Sequence, residues 1–317
     1  MNKVLIVGCG YMTLEYAKVL QAQHIEFEVI GNRIEKLNIF KKAYPNIICY
    51  EGGYQNYLKT NTPFENVIIA TSVETGYEAA KAFMENGVKN ILTEKPAGLT
   101  QAEINDLQTL STKNNVRLLV GYNRRFYQSI KHAKKIIEKD GGILSAHFEF
   151  TEWIHTIDQD KFPPLVLSKF IIANSSHVID TIFHLLGRPK EINAIIRGNA
   201  VKWHPTGSIF CGSGISINDI PFTYHSNWGA PGRWAIEILT SLHRIYFKPM
   251  ERLSIQDIGS VKIEELNESY DIDIDFKPGL YLQVDAFLKG SSSDLVCTIE
   301  EHQANFEFYE QIAGYRN

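Results

Sequence analysis

Lys3-Val-Leu-Ile-Val-Gly-Cys-Gly-Tyr-Met-Thr13 decides the fold, because an unbroken apolar run from Val4 to Val7 enters directly on Gly8-Cys9-Gly10. A short apolar run closed by glycine reads as a buried strand, and the residues after Tyr11 place apolar side chains at helical spacing. Strand, tight glycine turn and helix is how a dinucleotide-binding βαβ unit opens. Gly8 would make the turn. Gly10 would let the backbone approach a pyrophosphate at the N-terminus of the helix beginning near Tyr11. Thr13 occupies the third glycine position, so the G-x-G-x-x-G fingerprint is incomplete.

The same rhythm runs on to residue 122. Stretches 27–30, 46–50, 66–70, 90–93 and 116–120 read as strands, and 11–23, 35–43, 75–86 and 101–114 as helices between them. Alternation of this kind specifies a doubly wound parallel sheet. After Gly121 the order changes to a helix at 128–139, an alternating strand at 143–152 and a helix at 170–186 ended by Gly187-Arg188-Pro189. Strand-like stretches follow at 191–197, 222–228, 234–239, 244–247 and 252–256, and helices at 279–289 and 299–312 close the sequence. The fold class is therefore α/β: a Rossmann domain over 1–122, then an α+β domain over 123–317 on a largely antiparallel open sheet.

Composition agrees with two domains and narrows the partners. A chain of 317 residues with 44% hydrophobic content can bury two cores. A formal charge of -4, a pI near 6.2 and a mean hydropathy of -0.16 offer no field for a polyanion, so no nucleic-acid partner is expected. Cys9, Cys49, Cys211 and Cys297 show no C-x-x-C spacing, which points to reduced thiols rather than a zinc ribbon or disulfide framework. The apolar run after Met1 is too short for a signal sequence, and no stretch of about 18 apolar residues is present, so a cytoplasmic protein without a membrane partner is expected.

Three clusters carry candidate chemistry. The second strand ends Phe27-Glu-Val-Ile-Gly-Asn-Arg33, without the acid that would hold an NAD ribose. Gly31 and Asn32 followed by Arg33 leave room and a cation for a 2'-phosphate, which favours NADP. Lys95, in Thr93-Glu-Lys-Pro96, falls at the carboxyl end of a central strand, where open α/β sheets bind ligands. It can donate to a sugar hydroxyl or stabilise an alkoxide. In Asn174-Ser-Ser-His-Val-Ile-Asp180, Asn174 or Ser175 would cap a helix whose positive end keeps His177 neutral, with Asp180 one turn on to orient the ring. His184 reads as structural, and the spacing of His177, Asp180 and His184 is not that of a zinc helix. Arg124, Arg125, Trp228, Arg233 and Trp234 supply cations and aromatics for a nucleoside diphosphate or a sugar ring.

Taken together, Ile6 to Gly10, Ile68-Ile-Ala-Thr71, Glu94-Lys-Pro96, Gly121-Tyr-Asn-Arg-Arg-Phe126 and His177-x-x-Asp180 make the chain resemble the glucose-fructose oxidoreductase, inositol dehydrogenase and rhizopine-catabolism (Gfo/Idh/MocA) family. The resemblance implies hydride transfer between NAD(P) and a sugar, nucleotide sugar or polyol, in subunits that pair through the open sheet as homodimers or homotetramers. It implies cofactor contacts at Gly8, Gly10, Tyr11, Met12, Asn32, Arg33, Thr71, Ser72, Glu94 and Lys95. Substrate contacts are implied at Lys95, Asn123, Arg124, Asn174, His177 and Trp228, with Lys95, His177 and Asp180 catalytic. Three positions depart from the family: Ala173 stands where an aspartate is frequent, Gly76 where a histidine is, and Ser72 where a proline is. Alternatives to a sugar dehydrogenase are an imine or other carbonyl reductase, and a catalytically silent NADP-binding sensor or scaffold. Phe222, Tyr224, Ile236 and Ile238 are expected to form an apolar patch that a second subunit covers.

Overall fold

Residues 3–290 and 294–315 are described by the computed structural model, and the chain divides into two compact units. The first runs to Asn123 and resumes over Leu280–Gln303, while the second holds Arg124–Gly279 and the chain from Ala304. The first unit is therefore built from two stretches of chain, unlike the contiguous division expected at residue 122. A short strand, Cys297–Thr298, is the reason: it returns to pair antiparallel with Leu119 and Val120.

In the first unit, strands β1 (Val4–Val7), β2 (Phe27–Gly31), β3 (Cys49–Glu51), β4 (Asn66–Ile69), β5 (Asn90–Glu94) and β6 (Arg117–Gly121) pair in parallel in the order 3-2-1-4-5-6. Helices α1 (Tyr11–Ala22), α2 (Ile34–Ala43), α3 (Gly53–Thr60), α4 (Val73–Glu85) and α5 (Gln101–Asn114) connect them. All four residues of β1 and of β4 are buried, as in a sheet covered on both faces. The strand order reverses between β1 and β4, in register Val7↔Ile69, and a crevice opens at the carboxyl ends of strands there. Helix α3, only 8 residues long, is absent from the sequence reading. It begins at Gly53, and both Gly53 and the preceding Gly52 are in the left-handed region, at φ +80 and +84.

Among the described residues the second unit has eight strands: β7 (Ser145–Glu149), β8 (Pro189–Arg197), β9 (Ile209–Ser216), β10 (Pro221–Asn227), β11 (Ala235–Leu239), β12 (His243–Phe247), β13 (Ser254–Asp257) and β14 (Glu264–Glu265). Every pairing is antiparallel except that of β7 with β10. Strand β9 is absent from the sequence reading because Gly212 and Gly214 break its apolar alternation. The rings of Tyr224 and Phe222 occupy the space that a Cβ at those glycines would need. Helices α6 (Gln128–Lys139), α7 (Pro164–Ser168) and α8 (Ser176–Leu186) belong to this unit.

The expected apolar patch is not a surface. Phe222 and Tyr224 are 2% exposed and Ile236 and Ile238 fully buried within one chain. Helix α8 covers that face, with the Phe183 ring 6.2 Å from that of Phe222. Period-2 alternation identified the right face of the strands, but the α8 sequence, apolar nearly all round, is what fills it.

Candidate functional sites

The turn between β1 and α1 closes at Gly8, whose φ of +126 and whose contact with the Ala70 carbonyl leave no place for a Cβ. Gly10 is different. Its backbone is extended, at φ -90, and a Cβ there would meet nothing within 4 Å. It also gives α1 no side-chain cap, and a helix N-terminus is a favourable place for an anion. A cavity of about 580 Å³ lies over this turn. Of the expected cofactor residues it collects Gly8, Gly10, Tyr11, Met12, Asn32, Arg33, Thr71 and Ser72. Cys9, Lys36 and Tyr54 also line it, and the sequence reading assigned none of them there. Lys36 follows Arg33 by three residues on α2, and that spacing was the available signal. An electropositive end opposite a helix N-terminus fits a dinucleotide carrying an additional phosphate.

Glu94 and Lys95 are not in that cavity. Glu94 accepts a 2.7 Å hydrogen bond from the Tyr16 hydroxyl on α1, which ties the end of β5 to the helix. Lys95 follows β5, half-buried and joined to Pro96 by a cis peptide. Asn123 is buried in the first unit, where the Gln283 side-chain oxygen accepts its backbone N–H. Gly76 sits beside Thr93 and Ala97, with room for a Cβ at ordinary contact distance.

The second unit gathers another group of side chains, around a π-helical turn at Ile171–Ser175 that runs straight into α8. Neither Asn174 nor Ser175 caps α8, as the sequence reading expected; Ser175 is itself helical, at φ -68 and ψ -18. Their side chains turn to Glu152 instead. Its Oε1 accepts from the Ser175 hydroxyl at 2.6 Å and the Asn174 amide at 3.0 Å, and its Oε2 from Arg233 at 3.3 Å. Because the chain is already helical before His177, the argument that a helix start keeps that ring neutral falls away. A π-turn of this kind frequently marks a functional site.

Glu152 is 3% exposed, and burial pushes its carboxyl above the usual range while Ser175 and Arg233 pull it back. It was missed in the sequence, although it lies three residues beyond β7 in phase with buried Phe148 and Phe150, and a buried carboxylate is itself a signal. Around it, Arg233 stacks on the rings of Trp153 and Trp234, 4.7 Å from each centroid, and Arg124 stacks on Trp234 at 4.4 Å. The His177 ring, 8% exposed, lies 6.0 Å from Trp234. Asn174, His177 and Arg124 of the expected substrate set thus share one neighbourhood.

Two expected residues serve elsewhere. Asp180 gives both carboxylate oxygens to Arg125, at 2.7 and 2.6 Å, and accepts a 3.3 Å bond from the Tyr309 hydroxyl. This pair is fully buried, so the carboxylate helps to hold α8. Trp228 is core, packed among Phe170, Trp203, His204 and Phe210, rather than a substrate contact. His184 meets Lys134 at 3.2 Å, and among the described residues no His, Cys, Asp and Glu group is placed to hold a metal.

The pattern of a dinucleotide-binding sheet and an antiparallel partner domain has known counterparts. Residues 2–122 match the family described as oxidoreductase family, NAD-binding Rossmann fold (GFO_IDH_MocA). Through this domain the chain resembles the Gfo/Idh/MocA oxidoreductase family. It is 31% identical over 141 residues to the uncharacterized oxidoreductase YhhX of Escherichia coli, covering 44% of this chain and 40% of that one. It is 27% identical over 146 residues to the scyllo-inositol 2-dehydrogenase (NADP(+)) IolW of Bacillus subtilis, covering 43% and 38%. The matched region thus spans about half or less of these relatives' length. An oxidoreductase from Agrobacterium radiobacter, crystallised with NAD+, L-tartaric acid and magnesium, shares the fold with a TM-score of 0.79 at 14% identity, over 98% of this chain and 96% of that one.

The π-turn is anchored at its other end by a buried histidine. His204 Nδ1 donates to the Gly207 carbonyl at 2.9 Å, which leaves Nε2 to accept from the Tyr315 hydroxyl at 2.7 Å. The Tyr315 oxygen in turn accepts the Ile171 N–H at 3.3 Å. Burial lowers the His204 pKa to about 4. The unfolded chain takes up this proton near pH 6.5, so the contribution is complete above about pH 6.5 and lost as pH falls towards 4. Denaturant unfolding at neutral pH and near pH 4 should show wild type losing about 3 kcal/mol more than His204→Gln over that interval.

Proposed function

We propose that the protein is an NADP-preferring oxidoreductase that transfers a hydride between nicotinamide and a carbinol or carbonyl carbon of a sugar or nucleotide sugar. The observation that carries this reading is the cavity over the Gly8 to Gly10 turn, with a helix N-terminus at one part and Arg33 and Lys36 at another. When bound there, the nicotinamide nucleotide supplies or accepts the hydride. The N-terminus of α1 would hold its pyrophosphate, and Arg33 and Lys36 its 2'-phosphate. We assign Lys95 to stabilising charge on the substrate oxygen and His177 to accepting its proton. With Ala173 and Gly76 in place of the family's frequent acid and histidine, no further proton carrier is assigned on those positions.

No helix among the described residues is long and apolar enough to cross a membrane, and a cytoplasmic setting with a dissolved small-molecule substrate is part of the proposal. Pairing of subunits is proposed through the sheet face opposite α8, where Ile195 is 52% exposed, in place of the buried patch.

Fluorescence titration of NADPH and NADH should show a preference for NADPH of about 1–3 kcal/mol, most of it removed by Arg33→Ala. Equal affinities in the unaltered protein would overturn the preference.

Screening oxidised and reduced NADP and NAD against sugars and nucleotide sugars, by nicotinamide absorbance, tests the reaction. On a turned-over substrate, Lys95→Ala and His177→Ala should each lower turnover about 100-fold or more, with little change in NADPH affinity. Normal turnover in both variants would refute the assignment. Tight NADPH binding with no turnover on any carbonyl, imine or carbinol would instead favour a silent sensor.

A further inference from the structure

Arg124 is an unusual cation in the second unit. It belongs to the short 3-10 helix Asn123–Phe126, and its guanidinium stacks on Trp234 and, at 5.8 Å, on Tyr127. Stacking satisfies its faces and leaves its five edge donors. Among the described residues none accepts a hydrogen bond from that edge. Neighbouring charges do not replace one: Glu152 and Glu251 are within electrostatic reach without bonding it, and Arg233 opposes it. Glu152 is already held by Arg233, Ser175 and Asn174.

Arg124 is half-buried and burial lowers its pKa, so this cation has given up part of its hydration without gaining an acceptor among the described residues. Among the described residues, Arg233 is bonded only through its 3.3 Å contact with Glu152, and its side chain remains 43% exposed. Two guanidiniums therefore share the Trp234 indole, and among the described residues only one has a carboxylate bonded to it. A rigid, partly desolvated fork with free donors matches a planar carboxylate or the face of a phosphoryl group, each of which accepts two parallel N–H bonds. A neutral hydroxyl offers only one weaker acceptor.

We propose that Arg124, with Arg233 across the Trp234 ring, forms an anion subsite, so that the substrate is a polyhydroxylated molecule carrying a carboxylate or phosphoryl group. This rests on the oxidoreductase reading for the word substrate, although the anion site itself does not. The His177 ring, beside the same indole, would then meet the hydroxyl-bearing part of the molecule.

The test is titration calorimetry of the full chain with NADP+ present, which keeps the dinucleotide pocket from competing for the anion. The probes are D-glucuronate, D-glucose 6-phosphate and D-glucose. One of the two anions should bind about tenfold to a hundredfold more tightly than glucose, the affinity equivalent of charge-assisted hydrogen bonds, and which one does so separates carboxylate from phosphoryl recognition. Arg124→Gln should remove that advantage while leaving glucose unaffected, and Arg124→Lys should restore part of it, having the charge but not the fork. Thermal melting of both variants establishes that they fold. Anion binding that depends on Arg124 supports the subsite whether or not turnover is ever found, so the redox reading can fail separately. Equal binding of glucose and both anions, undiminished anion binding by folded Arg124→Gln, or no binding of either anion overturns it.

Discussion

The first unit depends on one close approach, that of the Gly8 backbone to the carbonyl of Ala70. Strands β1 and β4 lie side by side in register, and the loops leaving their carboxyl ends must pass each other where the strand order reverses. Only a residue without a Cβ can turn there at φ +126. That turn aims the N-terminus of α1 across the sheet edge, and the rest of the cavity follows from it: Thr71 and Ser72 from the loop after β4, and Asn32 and Arg33 from the loop after β2. The physical order is sheet register, then glycine turn, then a helix N-terminus at the cavity, where an anion would be favoured.

The second unit is organised by buried charge. Arg125 and Asp180 pair without solvent, and breaking a pair of this kind by removing one partner costs about 3–5 kcal/mol. The pair fixes the 3-10 helix Asn123–Phe126 to α8, so the residues beside its two members, Arg124 and His177, are held by the same lock. Glu152 does comparable work on the π-turn, joining Asn174 and Ser175 to Arg233 and so to the Trp153 and Trp234 rings. A site built on such supports presents its side chains from rigid elements.

Much of this was legible in the sequence, for identifiable reasons. The parallel sheet announced itself because both faces are covered and its strands are continuously apolar, and Gly8 because no other residue suits its backbone. The antiparallel sheet was legible as alternation, except at β9, where Gly212 and Gly214 remove the signal to make room for Phe222 and Tyr224. What the sequence concealed was partnership. Asp180 and His177 are three apart on a helix, a spacing that suggested they cooperate, yet Arg125 claims the carboxylate. Asn174 and Ser175 had the composition of a helix cap, yet the helix is already under way and their acceptor is Glu152, more than twenty residues earlier. Trp228 and Trp234 looked alike in the sequence, and only packing separates the core indole from the one flanked by two arginines.

The account stands or falls on the dinucleotide site, and Gly10 isolates it. Its extended backbone admits any side chain and nothing in the protein occupies the space a Cβ would take, so Gly10→Val should melt close to wild type while filling the place the pyrophosphate needs. NADPH titration followed by nicotinamide fluorescence should show affinity reduced about tenfold or more in that variant. A Gly10→Val protein that melts like wild type and binds NADPH equally well would contradict the account.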